Sequence, residues 1–310
     1  FKQKTAYEIG VRLVGSEMCI RDRLRGVPLV FDFQGSLTAE MVDHHFLNPQ
    51  GALYPWAYRL ETAITRRLPD AILTSSGLAT TLLRDEFGVP AEHIHTLPDC
   101  ADADHFDPAR APFPPGDHPL RTQYNIPREA IVVGYLGLLT DYQGIPHLIE
   151  AAARLKEQGQ AIHFLVMGYP NVESYQMAAH AWGVDDRVTF TGRVPFASAP
   201  YYLAAADIAV APKVSSSEGS GKLLNYMAMA QPIVAYDTPV NREYLGELGV
   251  YAPAGDVAAL TAAITELATD PGRRRDLGQA LRRRVQVEFS WPAAAERIAN
   301  LYDLLTNRGD

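Results

Sequence analysis

The sequence predicts an α/β protein built on doubly wound parallel sheets, and three observations carry that prediction. From Ile131 onward, short apolar runs alternate with amphipathic segments. The connections between the runs are too long for hairpins, which leaves crossovers and therefore parallel strands. The runs are apolar throughout, as in strands covered on both faces.

Upstream of that region, residues 28–33 and 71–74 read as two strands, with helical patterns between and after them. That is less than half of a doubly wound domain. Residues 108–119 are rich in Pro and Gly and read as a linker. Residues 131–136 then form a strand that ends at Gly137. After the loop 138–144, Ile145, Leu148, Ile149, Ala152 and Leu155 recur at helical spacing until Gly159 stops them. A strand over 162–167 ends at Gly168, followed by a helix over 174–182 and a short strand at 188–190. Residues 208–211 read as a strand, 222–229 as a helix and 232–236 as a strand, and helices over 272–288 and 292–306 close the chain. In such a sheet ligands bind at the carboxyl ends of the strands. The loops after Leu136, Met167, Phe190 and Ala211 are thus expected to line one crevice.

The totals narrow the partners. Of 310 residues, 47% are hydrophobic and 21% charged, ordinary values for a globular protein long enough for two domains. A formal charge of -8 argues against nucleic acid. Two cysteines, Cys19 and Cys100, need no disulfide framework and fit a reducing cytoplasm. No run approaches the roughly 18 apolar residues of a transmembrane helix. Residues 9–23, IGVRLVGSEMCIRDR, resemble a translated sequencing adapter, so residues 1–23 are expected to be a non-native leader outside the folded unit.

Familiar nucleotide and metal motifs fail. No G-x-G-x-x-G follows a strand. The run Ser217 to Lys222 hints at a phosphate loop, but Ser216 replaces its first Gly and Leu223 its Ser or Thr. His93 with His95, and His44 with His45, lack carboxylate or Cys partners at metal spacing, and no carboxylate cluster suits Mg²⁺ or Mn²⁺, so no metal is expected. What survives is EGSGKLLNYMA over 218–228. Its glycines let a ligand approach the backbone, and a helix starting near Ser220 presents free N–H groups to an anion. A tight turn with a solvated Lys222 fits the spacing equally well.

Five segments together resemble the retaining GT-B glycosyltransferases called family 4, or glycosyl transferases group 1. LPDCADADHFDP at 97–108 is similar to the family's interdomain signature. Residues 134–137 with Gln143 and Gly144 look like its donor loop. DDRVTFTGRV at 185–194, AADIAVAP at 205–212 and KLLNYMA at 222–228 follow in the family's order. The match runs from about residue 28 to residue 305. It implies a GT-B fold of two Rossmann-like doubly wound domains facing a cleft, the N-terminal one incomplete. The expected segments are the leader 1–23, a remnant of the acceptor-binding domain at 24–108, a donor-binding domain at 109–286, and a helix at 287–310 crossing back. Ile298, Leu301, Tyr302 and Leu305 would form the apolar face of that helix.

The resemblance also implies roles. Gly137, Gln143 and Gly144 belong to the donor loop. Arg193 and Val194 would hold the nucleobase, partly through backbone groups. Asn225 stands where the family's Glu binds the ribose hydroxyls. Gly219, Ser220 and Gly221 would lie near the sugar or the diphosphate. Ser217 falls at the first Glu of the motif and Glu218 one step later. Gln34 stands where many members carry a His near the donor sugar, so Glu218 and Gln34 are the catalytic candidates. The family's diphosphate-binding Arg and Lys are replaced by Leu138 and Gln143. The leaving group's charge then falls to Lys222 and the helix N-terminus, with Lys213 and Arg193 as further cations.

The implied reaction moves a sugar from a nucleotide-sugar donor to an acceptor hydroxyl with retention of configuration, without cofactor or metal. The acceptor, a glycan, a lipid or a small molecule, is not named by the sequence. A cytoplasmic enzyme touching the inner face of the membrane through its absent N-terminal part is expected, and an incomplete acceptor domain would make this chain a poor catalyst. A non-catalytic nucleotide-sugar-binding homologue and a sugar-nucleotide epimerase of the same fold remain the alternatives.

Overall fold

A computed structural model describes residues 27–33, 35–43, 46–113, 116–214 and 221–307. The chain divides into two compact units. One takes the chain up to Pro98 together with the stretch from Ala295 onward, and the other is Asp99–Ala294.

In the first unit, the described residues form a three-stranded parallel sheet in the order β1 (Val30–Phe33), β2 (Ala71–Thr74), β3 (Ile94–Thr96). The expected strand over 28–33 begins two residues late, and β3 was not expected at all. Helices α1 (Leu37–Asp43) and α2 (Leu53–Arg67) separate β1 from β2, and α3 (Gly77–Thr81) follows β2. Ser36 Oγ caps α1 locally by accepting from Ala39 N–H at 3.2 Å, and Glu61 on α2 adds to it, accepting from the N–H groups of Leu37 at 2.7 Å and Thr38 at 3.1 Å. Phe33, Ile72, Leu83, Phe87 and Val89 form a small core.

The second unit carries a six-stranded sheet among the described residues: β4 (Ile131–Leu138), β5 (Ile162–Tyr169), β6 (Val188–Gly192), β7 (Ile208–Ala211), β8 (Ile233–Asp237) and β9 (Val250–Pro253). The order is β6-β5-β4-β7-β8-β9 and every pairing is parallel. From β4 the chain winds outward to β6, then returns to β7 and winds the other way. The winding therefore reverses between β4 and β7, where an open α/β sheet leaves a crevice at its carboxyl end.

Side-chain alternation explains why these runs lie between two helical layers. Val133 and Tyr135 face one core with α4 (Ile145–Glu157) and α5 (Val257–Thr269). Val132 faces the other with α6 (Gly221–Ala228) and α7 (Pro271–Glu288). The last helix, α8 (Trp291–Thr306), starts in the second unit and belongs to the first from Ala295 on. Of its expected apolar face, Leu301 is buried and borders a hollow with Leu73, Ile94 and Thr96, whereas Tyr302 is 51% exposed.

The boundaries differ from those expected. The Pro- and Gly-rich stretch 108–119 lies wholly inside the second unit. Just before it, Phe106 is fully buried, and Arg282 holds the chain by donating to the Phe106 carbonyl at 3.0 Å and pairing with Asp107 at 3.1 Å. The return crossing falls after Ala294 rather than at 287, because Phe289 and Ala294 are buried and Ala101 N–H donates to the Phe289 carbonyl at 2.9 Å.

Two buried histidines make stability depend on pH. His118 and His163 are 2% and 4% exposed. Burial lowers both to about 4 from the ordinary 6.5, and Arg121 beside His118 and Arg187 beside His163 push the same way. A folded pKa below the unfolded one means that the unfolded chain binds the extra protons. Their contribution is thus complete above pH 6.5 and is lost as pH falls toward 4. The urea midpoint is expected to fall across this window. A flat midpoint between about pH 6.5 and 5, above the carboxylate range, would show that neither ring is held neutral.

Among the described residues, no helix is long and apolar enough to cross a membrane.

Candidate functional site

The site is built where β4 and β7 end side by side. Backbone approaches its walls so closely that glycine is required. A Cβ on Gly168 would lie 1.9 Å from the carbonyl oxygen of Gly137, its partner across β4 and β5. Gly144 ends the short turn Asp141–Gln143 with φ at 81°. A Cβ there would fall 2.1 Å from the carbonyl oxygen of Pro212, the residue after β7. Val214 N–H also donates to Tyr142 O at 3.0 Å, so the loop after β4 and the segment after β7 are laced together.

Helix α6 closes this end of the sheet. Leu223, Leu224, Tyr226, Met227 and Ala228 are buried, which fixes the helix's inward face. The Tyr226 hydroxyl accepts from Leu136 N–H at 2.8 Å and donates to Leu136 O at 3.2 Å. The start of α6 is thereby aimed at the end of β4. Lys222, in its first turn, donates from Nζ to Gln143 Oε1 at 2.5 Å and to Tyr135 Oη at 3.1 Å. The ammonium also lies 4.5 Å from the centroid of the Tyr135 ring. Burial pushes the Tyr135 hydroxyl far above the usual phenol range, so it stays protonated and donates to Leu138 O at 2.7 Å.

Gly137, Gln143, Gly144 and Lys222 are therefore brought together, with Gly221 and Asn225 on the same short helix. Asn225 is half-buried one turn after Lys222 and Gly221 is exposed. Asp99, from the segment 97–108, reaches this helix start: its Oδ2 accepts from Tyr244 Oη at 3.3 Å and lies 3.9 Å from where a Cβ on Gly221 would be. A carboxylate at a helix N-terminus is favourably placed.

Arg193 and Val194 stand apart from that group, after edge strand β6. Gly192, with φ at 75°, turns the chain there. The exposed Arg193 guanidinium lies over the Tyr169 ring at 5.1 Å, which joins the loops after β5 and β6. Lys213 is 4% exposed in the segment after β7. Gln34, Ser217, Glu218, Gly219 and Ser220 lie outside the described residues. Among those described, no group of three His, Cys, Asp or Glu side chains could hold a metal ion.

Sequence reasoning singled out the loop and helix but assigned nothing to Tyr135, Tyr226, Asp99 or Tyr169. Tyr135 and Asp99 sit inside segments it did quote, so the signal was present without a role. Tyr226 reads as one more apolar helix residue until its hydroxyl is seen on Leu136. The motif residue Asp207 has a structural role instead. Its Oδ2 accepts from Arg121 and from Val132 N–H, both at 2.7 Å.

Known proteins resemble this chain in sequence and in fold. Residues 130–270 match the profile of the family described as Glycosyl transferases group 1. The chain is 27% identical over 261 residues to a 2-deoxystreptamine glucosyltransferase of Streptomyces kanamyceticus, covering 80% of this chain and 63% of that protein. It is 26% identical over 290 residues to an alpha-D-kanosaminyltransferase of the same organism, covering 91% and 72%. HepE of Anabaena in complex with UDP superposes with a TM-score of 0.76 at 18% identity, over 92% of this chain and 74% of that one. The two parallel-sheet, Rossmann-like units are those of the GT-B fold.

Proposed function

We propose that this protein transfers a sugar from a nucleotide-sugar donor to an acceptor hydroxyl with retention of anomeric configuration. One observation carries the reading: the winding reversal between β4 and β7 brings Gly137, Gln143, Gly144 and the Lys222 turn of α6 together at one end of the sheet. The match of residues 130–270 to a glycosyltransferase family, and the UDP held by HepE, support a nucleoside diphosphate as its occupant.

In this reading the diphosphate lies against the first turn of α6. As the bond from the sugar's anomeric carbon to the phosphate oxygen breaks, negative charge grows on the leaving group. Fixed N–H donors and a nearby ammonium stabilise that charge without reorganising, which is where most of such a rate enhancement arises. The nucleobase extends toward Arg193, Val194 and the Tyr169 ring, and the ribose toward Asn225. Glu218 and Gln34 are proposed to face the donor sugar, with Ser217, Gly219 and Ser220 between it and the diphosphate. Cation and helix together offset the phosphate charge, so no divalent metal is required.

Calorimetric titration with UDP, GDP, ADP and TDP tests the binding step, with saturable binding of at least one expected, unchanged in EDTA. Release of that nucleoside diphosphate from its sugar conjugate should rise when an acceptor is added, and proton NMR of the product should show the donor's anomeric configuration. Failure to bind any nucleoside diphosphate would overturn the reading. An inverted product would overturn retention, and loss of binding in EDTA the absence of a metal.

A further inference from the structure

We infer that Gln143 is a positioning residue: it fixes the Lys222 ammonium at the carboxyl end of β4, and this pair replaces a loop-borne cation in holding the donor's diphosphate. The inference rests on the nucleotide-sugar reading above.

Two loop positions where the resembled family has cations are neutral here. Leu138 is 44% exposed, and Gln143 is 7% exposed. Lys222 Nζ nevertheless lies 2.5 Å from Gln143 Oε1, so its charge stands beside the place that a longer, charged residue 143 would reach.

Hydrogen-bond inventory assigns the roles. An ammonium only donates, so it must face the carboxamide oxygen of Gln143 and the lone pairs of Tyr135 Oη. The Tyr135 proton goes to Leu138 O, which leaves that hydroxyl free to accept. Gly137 completes the fit, since a Cβ there would come within 3.0 Å of both Lys222 Nζ and Tyr135 Oη.

A purely structural tie between α6 and β4 explains these contacts less well. Tyr226 already makes two hydrogen bonds across that junction, and five buried residues hold the helix.

Charge transposition tests the inference. Lys222→Ala should weaken binding of the preferred nucleoside diphosphate by roughly 10- to 100-fold, the scale of a charge-assisted hydrogen bond. Binding of the corresponding nucleoside, which lacks phosphates, should not change. Gln143→Leu should cost about 5-fold, because it releases the ammonium without removing it. The double variant Gln143→Lys/Lys222→Gln keeps the hydrogen bond with donor and acceptor exchanged, and it should recover most of the affinity lost by Lys222→Ala. A structural tie would not distinguish diphosphate from nucleoside. If the wild type binds a nucleoside diphosphate and Lys222→Ala binds it equally well, the inference falls while the functional reading stands. Failure of the folded double variant to recover affinity also overturns it. A wild type that binds no nucleoside diphosphate overturns both.

Discussion

Asp207→Ala is expected to cost the second unit about 3–5 kcal/mol, the scale for removing one partner of a buried ion pair. The Arg121 side chain is 5% exposed and that of Asp207 17%, and they meet at 2.7 Å. Arg121 spends its other donors on the carbonyls of Ala205 at 3.0 Å and Ala130 at 3.1 Å. Without Asp207 the guanidinium, itself almost wholly buried, keeps these bonds but loses its counter-charge. Val132 N–H, at the start of central strand β4, loses its acceptor as well. Asp207→Asn keeps an acceptor and should cost less. Urea unfolding of the three proteins measures the series. A loss below about 1 kcal/mol for the alanine variant would place the pair among surface bridges of little worth.

Gly144→Ala should damage both fold and site. A left-handed backbone costs an L-residue about 1–2 kcal/mol, and here a Cβ would also sit 2.1 Å from the Pro212 carbonyl oxygen. The atoms it would meet are the backbone and ring of Pro212 rather than a flexible side chain, so the loop after β4 must part from the segment after β7. Gly159 separates the two effects. Its φ is +69° and a Cβ there would meet nothing within 4 Å, so Gly159→Ala carries the strain without the collision. Gly159→Ala should cost about 1 kcal/mol and leave nucleotide binding intact. Gly144→Ala should cost more and weaken that binding by at least the roughly 5-fold expected of Gln143→Leu, because Gln143 moves with it. Equal losses in the two variants, with binding retained in both, would show that the close approach to Pro212 is not needed.

The contrast between those glycines marks how far a sequence can be read. Both look like ordinary punctuation after or before a helix, and only the neighbouring strand makes one of them indispensable. Strands β4, β5 and β7 were legible because burial on both faces leaves unbroken apolar runs. The turn from Gly144 into α4 was legible because the apolar residues from Ile145 to Leu155 keep helical spacing. Strands β3 and β9 were not, since IHT holds a single apolar residue and VYAP ends in a Pro that reads as a break. Helix α5 was passed over because its Ala- and Thr-rich sequence is apolar around most of its circumference. The linker was misplaced because Pro and Gly mark irregular backbone without showing whether that backbone is fastened. Here Arg282, 176 residues from Phe106, fastens the chain just ahead of it.

By itself the sequence determined the α/β class, the main strands and helices of the second unit, and the expectation that chemistry lies after β4 and β7. Each of those rests on local periodicity or on a short ordered motif. Tertiary structure alone decided that Gln143 and Lys222 meet, although 79 residues separate them. It did so through the order β6-β5-β4-β7-β8-β9, which sets the ends of β4 and β7 side by side. Hydrophobic patterning says that each strand is buried but not which strand it lies beside. That choice depends on how all the helices cover the sheet, and no single segment records it.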